Sequence, residues 1–479
     1  MLILDEGLRV MKPDPSSPSG RRKRLFSKVV GVYQTLLRRG LEHFFPDAVL
    51  ESVSGRSVID WANSQNRSIF HMNDDPDGLG LRIEFFRTQY RLLPGNPSPF
   101  LDSERKLVAT ILRVMEIRYR AMYDPAAALQ YELFHHPLED LIVAESIAPG
   151  ETNRIPSALE ALRVSSLSTY ENRRVSTGVL LLGTTYDPTS PRLAKPPDAP
   201  RYGVELSAIK SFHRLCDGLR TVFVVDHEGD LTHTVDLDRW ADQVRGSREK
   251  SPDFTCPRPY QSHARATRAD GHVCLVLSPY QEIKVLAGGT MTFAFSDARW
   301  RLLDIPSKFE VWCRAVGASR LKDLAARLFH SALNLSEDRR GALFVVLRDP
   351  ERSVSRLVDP TDQIDNVNDH PNDDEHPPHR LAKRAMHHLA RGRGIGDLEP
   401  TVLESLAGID GAVVTDLQGR LHAFGAILRI PPENLVSHRA VEGSRTAAAL
   451  AASFHGPVLK VSEDGFLTMF LGGRRIWEI

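Results

Sequence analysis

The sequence predicts an α/β protein of mixed β-sheets flanked by helices, divided into several domains. Short apolar runs bounded by turn residues read as buried strands, among them Leu343-Phe344-Val345-Val346 and Val413-Val414-Thr415 before Asp416-Leu417-Gln418-Gly419. These runs alternate with segments whose apolar residues recur at helical spacing, as Leu324, Leu328, Ala332 and Leu335 do. With 479 residues, 42% hydrophobic and 25% charged, the chain has an ordinary globular composition and length for about three domains.

Composition narrows the function. Lys plus Arg equals Asp plus Glu at 61 each, so no overall field draws nucleic acid or an anionic membrane, and neither is expected as a partner. Cys216, Cys256, Cys274 and Cys313 are too scattered for a zinc pattern and too few for a disulfide scaffold, which fits buried thiols in a reducing cytosol. No apolar run approaches the ~20 residues of a spanning helix, and Met1-Leu2-Ile3-Leu4-Asp5 lacks the basic-then-apolar order of a secretory signal. The expectation is a cytoplasmic protein.

Residues 1–24 read as a flexible basic tail, Pro- and Ser-rich, with Arg21-Arg22-Lys23-Arg24 as a solvated charge run. An N-terminal α/β region follows over 25–155, opening on an amphipathic helix that carries Val29, Val32, Leu36 and Leu37. Asn73-Asp74-Asp75-Pro76-Asp77-Gly78 with Glu84 imitates an EF-hand loop, but Pro76 inside it and the alternating flanks make it the turn of a hairpin. Ser103 to Met122 predicts a long helix with Leu107, Ile111, Leu112 and Met115 on its apolar side. His135-His136-Pro137 reads as a helix end, because Pro137 breaks the alignment that a metal site would need.

Residues 156–318 and 319–479 share a pattern. Leu159 to Arg174 predicts a helix ending Glu171-Asn172-Arg173-Arg174 before Gly178-Val179-Leu180-Leu181-Leu182, against Glu337-Asp338-Arg339-Arg340 before Ala342-Leu343-Phe344-Val345-Val346. Asp217-Gly218 before Thr221-Val222-Phe223-Val224-Val225 parallels Asp410-Gly411-Ala412 before Val413-Val414-Thr415, and Val273 to Gly289 parallels Val458 to Gly473. The order is kept in all three, which predicts that 156–318 is a worn copy of 319–479. In the first copy Tyr280 and Gln281 follow Ser278 where the second has Glu463, so the first would bind or pack without catalysing. The Asp-, Asn-, Pro- and His-rich stretch 349–380, densest over 369–379, reads as a mobile loop near the second module's pocket.

The chemistry concentrates in the last seventy residues. Asp410-Gly411-Ala412 puts a carboxylate at the mouth of a buried strand beside two residues too small to block a flat ligand. Gly443-Ser444-Arg445-Thr446 opens an alanine-rich helix, so unpaired N–H groups, two hydroxyls and one guanidinium face what lies before it, and phosphate is the natural guest. Ser462-Glu463-Asp464-Gly465 sets a second carboxylate at a strand end. Two carboxylates beside a phosphate site imply a divalent cation.

These residues resemble the diadenylate cyclase domain, which joins two ATP molecules into cyclic di-AMP. The family pattern is Arg-Arg-x-Gly-Ala-Leu before a hydrophobic strand, then Asp-Gly-Ala, Gly-Thr-Arg-His-Arg-Ala-Ala and Ser-Glu-Glu. This chain offers Arg339-Arg340-Gly341-Ala342-Leu343, then its three motifs, in the same order over roughly residues 325–479. The resemblance implies that Asp410 orients a ribose hydroxyl or a metal, and that Gly411 and Ala412 line adenine. It further implies that Ser444 and Arg445 hold phosphate, that Gly443, Thr446 and Ser462 also belong to the nucleotide site, and that Asp410 and Glu463 bind Mg²⁺ or Mn²⁺. Catalysis would fall to Asp410, Arg445 and Glu463. Two sites must face each other in such an enzyme, so a homo-oligomer or an intrachain pseudo-dimer is implied. Thr446 and Ala447 replace the family His and second Arg, which removes charge stabilisation at the attacked phosphate. The first expectation is therefore a sensor that binds ATP or cyclic di-AMP; the alternatives are an active diadenylate cyclase (a nucleotidyltransferase) and a catalytically dead scaffold for protein partners.

Overall fold

The computed structural model describes residues 31–32, 34–53, 70–83, 88–95, 99–123, 135–150, 154–184, 198–207, 209, 211–243, 255–317, 322–364, 386–388, 390–430 and 443–479. The tail 1–24 and the run 369–379 lie outside them. The fold is α/β, with mixed sheets flanked by helices, and it divides into two units: Met1–Gly95 with Lys106–Tyr131, and Asn96–Arg105 with Glu132–Ile479.

The smaller unit holds an antiparallel four-stranded sheet of β1 (Val49–Val53), β2 (Phe70–Asp75), β3 (Gly78–Ile83) and β4 (Thr88–Leu93), in the order β1-β4-β3-β2. The EF-hand look-alike is a hairpin turn, with Asp75 paired to Gly78. One Asp75 oxygen accepts the Asp77 N–H at 3.1 Å and the other accepts Arg91 Nε at 2.9 Å, so the carboxylate serves the turn. Helix α1 (Asp102–Tyr123) buries Leu107, Val108, Ile111, Leu112 and Met115, a helical stripe.

The larger unit begins with α2 (Leu138–Ile147), most of it buried. Its Asp140 is fully buried, ion-paired to Arg163 and hydrogen-bonded by Trp300 Nε1 at 2.9 Å. Helix α3 (Arg154–Ser166) ends eight residues before the expected Arg174. The chain then makes a small hairpin of β5 (Thr169–Tyr170) and β6 (Arg173–Arg174), whose tip places Glu171 and Asn172 at φ 50° and 62°.

Two sheets come next. The first contains β7 (Thr177–Leu181), β8 (Thr221–Val225), β9 (Leu231–Asp236), β10 (Val273–Leu277), β11 (Ile283–Ala287), β12 (Thr290–Ser296) and β13 (Arg299–Leu302). Helices α4 (Leu237–Gln243) and α5 (Gln261–Ala266) lie within this stretch of chain. Helices α6 (Ile305–Val316) and α7 (Lys322–Glu337) lead to the second, which contains β14 (Ala342–Leu347), β15 (Ala412–Asp416), β16 (Leu421–Ala426), β17 (Val458–Val461), β18 (Leu467–Leu471) and β19 (Arg474–Glu478). Between β14 and β17 the chain also forms α8 (Pro350–Leu357), α9 (Pro400–Ala407) and α10 (Ser444–Ala452). After Asp349 the chain is thus helical over Pro350–Leu357, and Val358 and Gln363 then form isolated bridges to Leu428 and Ala423; the Asp349 side chain caps α8 by accepting the Arg352 N–H.

The orders are β9-β8-β7-β10-β11-β12-β13 and β16-β15-β14-β17-β18-β19, read in the same sense. In each, a central strand pairs parallel to one neighbour and antiparallel to the other, and the registers coincide. Val179 faces Phe223 and Leu275, as Phe344 faces Val413 and Leu459. The bulge at Val224/Val225 recurs at Val414/Thr415, and the one at Val285/Leu286 recurs at Met469/Phe470. Turns repeat too. Asp226 accepts the N–H groups of Glu228 and Asp230, just as Asp416 accepts those of Gln418 and Arg420. Gly229 and Gly419 sit at the same place with φ 94° and 79°. Bulges and left-handed turn positions are not generic features of an α/β sheet, so their coincidence is specific.

This register corrects two pairings expected from the sequence. Val225 matches Thr415, so Arg220, and not Asp217, stands at the position of Asp410. Ser278 matches Ser462, because Ser278 and Ser462 bond Glu282 and Phe466 alike, so Pro279 stands at the position of Glu463.

Strand β14 shows how the second sheet is held. Ala342, Phe344 and Val346 join the core shared with α6 and α7, while Leu343, Val345 and Leu347 join a separate core with Ala449 and Ala452 of α10. A strand covered on both faces reads as a continuous apolar run. The alanines of α10 let that helix approach the sheet closely. The fully buried Trp312 of α6 donates Nε1–H to the Ala325 carbonyl of α7 at 3.0 Å, fastening the two connecting helices.

Candidate functional site

Four segments of the second module meet at one guanidinium. Arg445 lies in the first turn of α10, whose N-cap is Gly443 at φ 82° with no side-chain cap, so the first-turn N–H groups face outward. Its Nη2 is 3.7 Å from Asp410 Oδ1 and its Nη1 is 3.3 Å from Glu463 Oε1. Its other side rests on Gly341, where a Cβ would overlap Nη1. The side chain of Asp410 is 98% exposed and that of Glu463 72%, whereas Arg445 is 29% exposed, so a partly covered cation is ringed by two carboxylates open to solvent.

Each element has a local cause. Arg339 takes the left-handed conformation (φ 53°) that closes α7, and the Arg340 N–H bonds the Leu335 carbonyl at 2.9 Å, a Schellman-type end. That ending turns the chain into Gly341 and β14. Arg340 then lies against Gly408, two residues before Asp410, where a Cβ would overlap its guanidinium. The Ser336 hydroxyl donates to the Gly465 carbonyl at 2.5 Å, holding the turn that carries Glu463 against α7.

The other expected residues take varied positions. Gly411, at φ 124°, packs backbone to backbone on Gly425 of β16, and only glycine fits there. The Ala412 methyl is buried in the α10-side core, so a ligand at the mouth would meet its backbone. Ser444 is exposed beside Arg445. The Ser462 hydroxyl accepts the Phe466 N–H at 3.2 Å within its turn. Thr446 accepts a hydrogen bond from Lys460 Nζ at 3.0 Å. Lys460 escapes notice along the sequence because it sits inside a strand run, Val458 to Val461, that reads as apolar.

The first module has Arg220, Pro279 and Val276 at the positions of Asp410, Glu463 and Lys460, and so lacks the acidic pair. Among the described residues, Asp226, Glu228 and Asp230 stand close enough to share an ion. They form the β8–β9 turn, and their counterparts Asp416, Gln418 and Arg420 keep one carboxylate of the three.

The two modules are joined by a buried ionic cluster. Lys284 Nζ lies 2.5 Å from Glu282 and 3.0 Å from Glu337, Arg339 reaches Glu282 at 3.2 Å, and the Tyr260 hydroxyl donates to Glu337 at 2.7 Å. Burial works against charge on Lys284, but Glu337 and Glu282 outweigh it and raise its pKa. Arg301, near this cluster at 3.8 Å from Glu282, stacks on the Phe466 ring at 4.5 Å.

No family model matches the chain, and no curated protein does. Among solved structures, the chain is similar to a crystal structure of a double mutant of DacA from Staphylococcus aureus, with 14% identity and a TM-score of 0.22, covering 33% of this chain and 88% of that one. At that score the likeness carries no functional inference. Among the described residues, no helix is long and apolar enough to cross a membrane.

Proposed function

We propose that the chain is a nucleotide-binding signalling protein of the diadenylate cyclase type, which binds ATP or cyclic di-AMP as a sensor. One observation carries the reading: Arg445 touches Gly341, Asp410 and Glu463, so residues from all four motifs of the resemblance meet around one guanidinium. In a bound state that guanidinium turns to phosphate oxygens, with which it forms charge-assisted bonds. Asp410 and Glu463 are then open to a divalent cation; Mg²⁺ or Mn²⁺ would take these two oxygens and complete its shell from phosphate and water.

The worn first module gives a reason to prefer sensing to turnover. A pseudo-dimer of the two modules holds one acidic pair, so condensation of two ATP molecules needs a second chain, and Thr446 and Ala447 supply no charge at the attacked phosphate. The test is calorimetry of the full chain with ATP and with cyclic di-AMP in Mg²⁺ and Mn²⁺, beside mass spectrometry of the mixture. Binding of either nucleotide, lost in Arg445→Ala and without new cyclic dinucleotide, is the expected result. Cyclic di-AMP formed from ATP would establish the active enzyme instead, and no heat with either nucleotide would leave the scaffold reading.

A further inference from the structure

Lys460 occupies a place where the strand pattern calls for an apolar residue. On β17, Leu459 and Val461 face the α7-side core, and Val458 enters the opposite core under α10. Two residues on from Val458, on that same face, stands Lys460, partly buried beneath the first turn of α10. Among the described residues its ammonium has a single hydrogen bond, to the Thr446 hydroxyl at 3.0 Å, and no carboxylate lies within 4.0 Å of it. Burial pushes its pKa below the usual lysine range; Arg445 and Arg475 add to that effect, while Glu478 and Asp464 oppose it. A half-buried ammonium with three donors, one of them used on a protein acceptor, leaves two free for the oxygens of an anion.

We infer that Lys460 is a phosphate-binding residue of the nucleotide site, acting with Arg445 and the Thr446 hydroxyl on the phosphate oxygens of the bound nucleotide. This rests on the nucleotide-binding reading above and deepens it. Lys460 restores, from the neighbouring strand, the cation absent from the helix at Thr446 and Ala447. It also separates two kinds of recognition: Asp410 and Glu463 need a metal to meet phosphate, whereas Lys460 and Arg445 meet it directly. Phosphate should therefore bind without a divalent ion, and the metal should add to affinity without creating it.

The test titrates the full chain with ATP, cyclic di-AMP and inorganic tripolyphosphate, with and without Mg²⁺, in the wild-type protein and in Lys460→Met, Lys460→Arg and Arg445→Ala. Lys460→Met is expected to weaken ATP and tripolyphosphate by about 10- to 100-fold, the size of a hydrogen bond to a charged group. Its thermal midpoint is not lowered, because an unneutralised charge leaves a half-buried place. Lys460→Arg keeps most of the affinity. At alkaline pH, ATP binding draws a proton from the buffer in the wild-type protein and not in Lys460→Met. Unchanged ATP affinity in Lys460→Met, with loss in Arg445→Ala, would overturn this inference and leave the nucleotide-binding reading standing. If the wild-type protein binds none of the three probes, both fall.

Discussion

Lys284 of the first sheet and Glu337 at the end of α7 form a 3.0 Å ion pair in which both side chains are more than nine-tenths buried. The pair sits at the junction of the two modules, and Glu282, Tyr260 and Arg339 complete it. α7 ends here and starts the turn on which the candidate site is built. Removing Lys284 alone leaves two carboxylates without their common cation. Lys284→Met should therefore cost ~3–5 kcal/mol of stability in denaturant unfolding, the range for breaking a buried pair. Adding Glu337→Gln should return part of the loss. A double variant no more stable than Lys284→Met would show that the pair is not energetically coupled.

Gly341→Ala probes the site without removing a charged group. A Cβ there overlaps Arg445 Nη1, and a long side chain yields more readily than backbone, so Arg445 should swing away from Asp410 and Glu463. The expected outcome is a loss of ATP affinity of about tenfold or more, the weight of one charge-assisted hydrogen bond, with unfolding changed by less than ~1 kcal/mol. Gly411→Ala is the contrast, because its Cβ would meet the Gly425 backbone. That variant should unfold more easily whatever ligand is present. Equal affinity for ATP in Gly341→Ala and the wild-type protein would refute the placement of Arg445.

These two glycines show what a sequence discloses and what it withholds. Both lie in motifs that stand out along the chain, yet Gly411 answers to strand packing and Gly341 to the space taken by Arg445, and neither need is visible in the sequence. The strands are legible because runs such as Leu343 to Val346 are buried on both faces and leave no polar interruption. The repeat is legible as an ordered set of runs, but its register is not: Asp217-Gly218 looks like Asp410-Gly411, and the three-residue offset is fixed by the strand pairing and bulges together with the Asp226 and Asp416 turns. Helix α2 is hidden since its acidic residues Glu139, Asp140 and Glu145 are buried, and a buried carboxylate such as Asp140 depends on Arg163 and Trp300, far away in sequence. Lys460 hides for a related reason, a charged residue in an apolar run.

Acid should loosen the first module through His263. The ring is buried, its Nε2 donates to the Gly218 carbonyl at 2.7 Å, and burial pushes its pKa down to about 4. The unfolded chain takes up this proton near pH 6.5 and the folded chain does not, so stability is lost as pH falls from 6.5 to about 4. The loss at the lower limit is up to ~3 kcal/mol from this group. Denaturant unfolding of wild-type and His263→Gln proteins across that range checks it, Gln keeping an N–H for Gly218. Parallel pH profiles for the two proteins would remove His263 as the cause.

Alkali should act the other way through Lys308. This lysine of α6 is buried, with its Nζ on the Leu302 carbonyl at 3.3 Å, and burial lowers its pKa to about 8. In the unfolded chain the group keeps its proton to about pH 10.4. Below pH 8 both states are charged and the folded one bears the whole cost of the buried ammonium, ~3 kcal/mol. From pH 8 to about 10 the folded state gives up the proton first, and the cost fades. Lys308→Met, which fills the same space with an apolar stem, should therefore raise stability at pH 7 by ~1–3 kcal/mol, and the advantage should shrink by pH 10. Unfolding measured at both values decides the matter. A variant less stable than wild type at pH 7 would mean that Lys308 is held by an anion and supports the junction of α6 with the first sheet.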